Sequence, residues 1–153
     1  MDLSNVMNLS CIHFDIDLRD KNSIFDFLSD CFQKNGIIKS KTQYLQAVFL
    51  REQQSETGLS EGIAIPHGVS PTVTHEAIAY VRLKKPIPWE SIDGKPIRHV
   101  FLLAIPVKSD KKHIQLLSTL ARSLIREDTI KRLNQAQEPI ELLHILSERR
   151  EEA

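Results

Sequence analysis

The chain has 153 residues, a length that fits one domain with its own core. Its 20 Lys plus Arg balance 20 Asp plus Glu, and a formal charge of zero argues against bulk nucleic-acid binding, which needs a basic surface. The composition, 41% hydrophobic and 26% charged, is that of a soluble globular protein; the longest apolar run, Val100 to Val107, is far short of the roughly 20 residues that span a bilayer.

The opening stretch, MDLSNVMNLSCIHFDIDL, has no basic segment ahead of an apolar run, so no secretory signal is expected and a cytoplasmic location is. Cys11 and Cys31 form no CxxC pair and are too few for a disulfide framework; they read as partly buried thiols. Cys11 to Phe14 fit a short strand. From Lys21 the period becomes helical, with Asp20 or Asn22 as capping candidates. Ile24, Phe27, Leu28, Cys31 and Phe32 share one face, and Gly36 ends the run. A second helix starts near Ser40, turns Tyr44, Val48 and Phe49 inward, and carries Arg51 and Glu52 toward its end.

After Ile63 to Ile65, a short apolar run, Ala77 to Leu83 and Ile97 to Val107 read as buried strands, with KKPIPWESIDGKP between them as a loop turning at Asp93-Gly94. From Lys111 the helical period returns through Ile114, Leu117, Ala121, Leu124 and Ile125, and Pro139 opens a last helix. Helices, then strands, then helices predict an α/β sandwich spanning residues 1–153 as a single domain, its mixed sheet flanked by helices on both faces.

The segment Gly62 to Gly68, GIAIPHG, concentrates the chemistry. A strand runs into Pro66, which stiffens the backbone just before His67, and Gly68 is expected to leave the ring uncrowded for an approaching partner. Such a histidine is held and reachable, although the same pattern also suits a turn histidine without chemistry. Imidazole, with an ordinary pKa of about 6.5, is largely neutral and nucleophilic near pH 7. Phosphoryl transfer to such a ring needs positioning and cationic donors around the equatorial oxygens. Arg51 offers a planar fork for those oxygens, and His113 stands at a helix start where the backbone favours an anion. Taken singly, each also reads as a surface residue. Trp89 reads either as a partner contact or as an anchor holding its loop to the core.

Four pieces in order change that balance: Arg51–Glu52, GIAIPHG at 62–68, AIAYVRLKKPIPWESIDGKPIRHVFLLAIP at 77–106 and HIQLLSTLAR at 113–122. Together they resemble the fructose/mannitol-type enzyme IIA domain of the bacterial sugar phosphotransferase system, along nearly the whole chain. The resemblance implies that His67 accepts a phosphoryl group, that Arg51 is the cation beside it and that His113 is the second active-site histidine. It implies the histidine phosphocarrier protein as donor, a cysteine of an enzyme IIB domain as acceptor, an indirect link to a membrane permease, and neither metal nor organic cofactor. Many members of that family have glycine and asparagine where this chain has Ser60 and Glu61, and Glu61 is expected to point to solvent. The surface meeting both partners is expected to centre on Ile65, Pro66, Gly68 and Val69, with Arg51 and Lys111–Lys112 at its margin.

The WESIDGKPI and VFLLAIP stretches resemble fructose-type members more than mannitol-type ones. A reading from a different class uses the same histidine: a nitrogen-related regulatory enzyme IIA whose phosphorylation state governs binding to other proteins. Neighbouring genes for IIB and IIC components would separate transport from that switch.

Overall fold

The computed structural model describes residues 3–108, 112–124 and 126–147, with the side chains at 112–114, 127 and 147 outside the description. A 3-10 turn, Leu3–Val6, leads into β1 (Met7–Ile16), followed by α1 (Lys21–Lys34), α2 (Lys41–Gln54), β2 (Ile63–Ala64), β3 (His67–Val69), β4 (Ala77–Ile87), β5 (Ile97–Ile105), α3 (Lys112–Leu124), α4 (Glu127–Gln135) and α5 (Pro139–Ser147). The strands form one mixed sheet in the order β1-β4-β5-β2, with β3 also on β5. β4 and β5 are antiparallel, while β1 runs parallel to β4 and both β2 and β3 run parallel to β5.

Helices cover both faces, as the sequence predicts, and for this reason β4 and β5 are buried almost continuously instead of alternating with solvent. One face carries small residues, Ala77, Ala79, Ala64 and Ala104, beside Val81, Val100 and Leu102, and Phe25, Leu28, Phe32, Tyr44 and Val48 of α1 and α2 pack on it. The other carries Ile78, Tyr80, Phe101, Leu103 and Ile105 against Leu116, Leu120, Leu133, Leu142 and Ile145 of α3, α4 and α5. Burying a Leu- or Ile-sized side chain contributes about 1.5–3 kcal/mol, so these two layers supply most of the drive to fold.

Several boundaries differ from the sequence reading. β1 is longer than Cys11 to Phe14, because its pairing with β4 extends from Met7 to Ile16 across two irregularities. β4 continues through Lys84 to Ile87, residues placed in a loop by their exposure and proline; the ladder to β5 resumes at Ile87–Ile97. The helical run read from Lys111 to Ile125 is α3, and between it and the helix opened by Pro139 stands a further helix, α4, that the sequence reading did not place. In α1, Phe25 faces the core, whereas Phe27 is half-buried with its ring edge-on to His13. Asp20 is the cap, accepting from Ser23 N at 2.7 Å. Cys11 and Cys31 are both free thiols.

Two polar devices tie the α3–α5 layer to the sheet. The buried Arg82 grips Asp15 with two bonds of 2.9 and 3.0 Å and donates to the Leu133 and Ala136 carbonyls that end α4. The Tyr80 hydroxyl donates to His99 Nδ1 at 2.7 Å, and His99 Nε2 donates to Asn134 Oδ1 at 2.9 Å.

Candidate functional site

His67 is the first residue of β3 and pairs with Leu103 on the free edge of the sheet. Pro66 marks the break between β2 and β3; it has no amide to give, and its carbonyl accepts from Leu103 N at 3.0 Å. Register puts His67 on the same face as Leu103, the face that α3 covers, because paired residues of neighbouring strands point to one side.

Gly68 has a different task from the one read in the sequence. It is buried, and a Cβ there would lie 2.8 Å from Val48 Cγ2 and 3.0 Å from Tyr44 Cε1. The glycine therefore lets α2 lie directly on β3, bringing the last turn of α2 up to the imidazole. The Tyr44 hydroxyl fastens the same contact by donating to the Leu103 carbonyl at 2.7 Å.

From that last turn Arg51 reaches the ring: Arg51 Nε donates to His67 Nε2 at 3.1 Å. Its Nη1 donates to the Ser55 carbonyl at 2.9 Å and to Ser55 Oγ at 3.2 Å, which holds the guanidinium plane. On the other side of the ring, His67 Nδ1 lies 3.3 Å from the Ile65 carbonyl. A carbonyl can only accept, so the proton sits on Nδ1 and the lone pair on Nε2, where Arg51 meets it. An imidazole in this state has a nucleophilic nitrogen at the surface of the sheet edge and a neighbouring cation suited to anionic oxygens.

His113 lies in the first turn of α3, whose core residues pack on the face that His67 shares, but its side chain is outside the described residues, as are Lys111 and the side chain of Lys112. The structure brings Arg51 and His67 together and describes no contact of His113. The expected partner surface needs correction: Ile65, Pro66 and Gly68 are buried, and Val69 alone of the four is exposed, at 45%. Among the described residues, no group of three His, Cys, Asp or Glu is placed to hold a metal ion, and no helix is long and apolar enough to cross a membrane.

The sequence reading names the residue beside Arg51 but gives it no role. Glu52 is buried and accepts from Thr57 N (3.2 Å), Thr57 Oγ1 (2.8 Å), Trp89 Nε1 (2.9 Å) and Lys21 Nζ (3.3 Å). Burial works against its charge, but the bonds from Thr57, a hydrogen bond with Glu56 and the charge of Lys21 outweigh burial and keep the carboxyl below its ordinary range. Trp89 is thus an anchor, 7% exposed, with Lys21 Nζ 4.8 Å above its ring. The available signal was an acidic residue in the last turn of a helix, where the dipole disfavours it. Glu61 is exposed as expected and pairs with Lys95 at 3.2 Å.

A family model described as the phosphoenolpyruvate-dependent sugar phosphotransferase system, EIIA 2, matches residues 5–149. The chain is 32% identical over 148 residues to the fructose-specific EIIABC component of Bacillus subtilis, matching 97% of this chain and 23% of that relative's length. It is also 32% identical over 149 residues to the nitrogen regulatory protein of Klebsiella oxytoca, matching 97% of this chain and 91% of that one. Among solved structures, the nitrogen regulatory protein IIA-Ntr of Neisseria meningitidis superposes with a TM-score of 0.87 at 27% identity, over 94% of this chain and 97% of that chain.

Proposed function

Because the chain belongs to the EIIA 2 family of the phosphoenolpyruvate-dependent sugar phosphotransferase system, we propose that it carries a phosphoryl group on His67. In this reading His67 Nε2 takes the group from the histidine phosphocarrier protein and passes it to a cysteine of an enzyme IIB domain, in the cytoplasm, for uptake of a fructose-type sugar. The observation that carries the reading is the ring itself, with Nδ1–H on a main-chain carbonyl and the Nε2 lone pair against Arg51.

The chemistry follows from that arrangement. The Nε2 lone pair attacks phosphorus as the donor's P–N bond breaks, and the donor imidazole keeps the bonding pair. Positive charge that builds on the His67 ring is stabilised by the Nδ1–H bond to Ile65 O. Arg51, still held on Ser55 through Nη1, gives up the lone pair, and its remaining donors meet the equatorial oxygens, where charge-assisted bonds act most strongly. His113, from the first turn of α3, would supply a second donor to those oxygens. In the onward step a thiolate attacks phosphorus and the His67–phosphorus bond breaks. No metal or organic cofactor takes part.

Incubation with phosphoenolpyruvate, enzyme I and the histidine phosphocarrier protein should give an acid-labile, base-stable adduct that His67→Ala lacks. Labelling of His67→Ala at the wild-type level would remove the proposal. A second reading is favoured by the match over 91% of a nitrogen regulatory protein and by the IIA-Ntr superposition. In that reading the same phosphohistidine governs binding to other proteins. Transfer from the phosphorylated protein to a cognate IIB domain supports transport; phosphorylation with no onward transfer supports the switch.

A further inference from the structure

We propose that Glu52 is the positioning residue of this site, fixing the orientation and tautomer of His67 through Thr57 and the main chain of Ile65. The inference rests on the reading that His67 Nε2 is the phosphoryl acceptor.

A continuous chain of bonds joins the two residues. Glu52 holds Thr57 by both its amide and its hydroxyl. The Thr57 carbonyl accepts from Ile65 N at 3.1 Å, and the Ile65 carbonyl is the acceptor for His67 Nδ1. Ile65 is thus held from one side by Thr57 and holds the ring on the other. Two consecutive residues of one helical turn then govern the two ring nitrogens: Arg51 meets Nε2 directly, and Glu52 acts on Nδ1 through Thr57 and Ile65.

The placing of Glu52 is otherwise unfavourable. A carboxylate in the last turn of a helix opposes the dipole, and so does Lys21 at the first position of α1. The two charges offset each other, and Glu52 gathers donors from three separate segments: the start of α1, the α2–β2 connection and the β4–β5 connection. The last two are pressed together, since a Cβ on Gly58 would lie 2.4 Å from Glu90 O and 2.9 Å from Ser91 Cα. Glu52 is the shared acceptor at this junction. Without it, Thr57 and Trp89 lose their partner, the segment before β2 loosens, and the Ile65 carbonyl shifts. An imidazole side chain in water favours the opposite tautomer, with the proton on Nε2, which has no lone pair there to attack phosphorus.

Long-range proton–nitrogen NMR of His67 in the full chain reads the tautomer directly, and phosphorylation by the phosphorylated histidine phosphocarrier protein reads its consequence. Glu52→Ala should lower the share of the Nδ1–H form and slow phosphorylation, on the scale of about 10²-fold for a misplaced reacting group. Glu52→Gln should restore most of both, because its carbonyl accepts the N–H donors and its amide can donate to Thr57 Oγ1. Leu142→Ala, on the buried face of α5, should lower the melting temperature without moving the ring signals. If Glu52→Ala does not fold, Thr57→Val, which removes one donor to the carboxylate, should move the tautomer in the same direction. Wild-type ring shifts and rate in folded Glu52→Ala, or in Thr57→Val where Glu52→Ala does not fold, would overturn the proposal; so would an equal tautomer change in Leu142→Ala. Absence of phosphorylation in the wild type would instead defeat the carrier reading, leaving the tautomer measurement to decide the role of Glu52.

Discussion

Arg51 Nε stands 3.1 Å from His67 Nε2, the one ring nitrogen that the Ile65 carbonyl leaves without a proton. The same guanidinium is braced by Ser55, so its position is set before any phosphoryl group arrives. Arg51→Ala should therefore slow phosphorylation by about 10²–10³, the scale for one lost preorganised donor. Arg51→Lys should recover only part of this, since a point charge cannot hold Ser55 and two phosphoryl oxygens at once. Both variants should melt close to the wild type, because the side chain is half-exposed and outside the core. Rapid-quench phosphorylation kinetics beside thermal melts check both halves of the expectation.

Gly68→Ala tests the contact that delivers Arg51. The added methyl would meet Val48 Cγ2 at 2.8 Å, Tyr44 Cε1 at 3.0 Å and Val48 N at 3.3 Å. Both side chains are buried and one of these neighbours is backbone, so α2 is expected to give by a few tenths of an ångström, and overpacking of this kind costs about 1–3 kcal/mol. Phosphorylation should slow as well, because the shift carries Arg51 away from the ring. A wild-type rate together with a lowered melting temperature would show that α2 can yield without moving its last turn.

How far the sequence could be read follows from the kind of signal each residue gives. The layered fold was legible because apolar periodicity changes from helical to continuous and back. Pro and Gly around His67 and a helix end under Arg51 made the two candidates, but only the resemblance of four ordered pieces raised them above a turn histidine and a surface arginine; their contact is what the structure adds. The role of Gly68 was not: glycine reads equally as room for a partner and as room for Val48, and tertiary packing alone decides. Glu52 was hidden because a charged residue at a helix end reads as solvated. Its partners lie 5, 31 and 37 positions away, at Thr57, Lys21 and Trp89. α4 went unread because its nine residues, EDTIKRLNQ, hold only two apolar side chains, too few to show a helical period.

His99 makes the fold pH-sensitive in a defined window. It is 1% exposed, and burial pushes its imidazole down from the ordinary 6.5 to about 4. Between those values the unfolded chain binds a proton that the folded chain refuses, so stability falls as pH drops from about 6.5 to 4 and levels off below. The loss over the whole window is roughly 3 kcal/mol at about 1.36 kcal/mol per pH unit. In His99→Gln that part of the slope should vanish, although losing the Tyr80 and Asn134 bonds lowers stability at neutral pH. Urea unfolding of both proteins at several pH values provides the comparison; an equal slope in the two would assign the acid sensitivity to other groups.

The turn that leads into β2 is where this chain departs from an easier solution. Ser60, Glu61, Gly62 and Ile63 close with Ile63 N donating to the Ser60 carbonyl at 3.3 Å, and both central residues have positive φ, 59° at Glu61 and 77° at Gly62. That is the type I′ geometry, which asparagine followed by glycine adopts with least strain. A glutamate in the left-handed region costs about 1 kcal/mol, because its Cβ crowds the following carbonyl. What Glu61 gains in return is an exposed ion pair with Lys95, which contributes little in water. Its amide donates to Asp93 Oδ2 at 2.9 Å, a main-chain bond that any replacement keeps. Glu61→Asn should therefore raise stability by about 1 kcal/mol, or about 2–4 °C in melting temperature for a chain of this size. Phosphorylation of His67 should be unchanged, since no bond of Glu61 reaches the ring or Arg51. An unchanged or lower melting temperature for Glu61→Asn would mean that the Lys95 pair outweighs the backbone strain, and Lys95→Met in the wild-type background would then show the missing stabilisation as a loss.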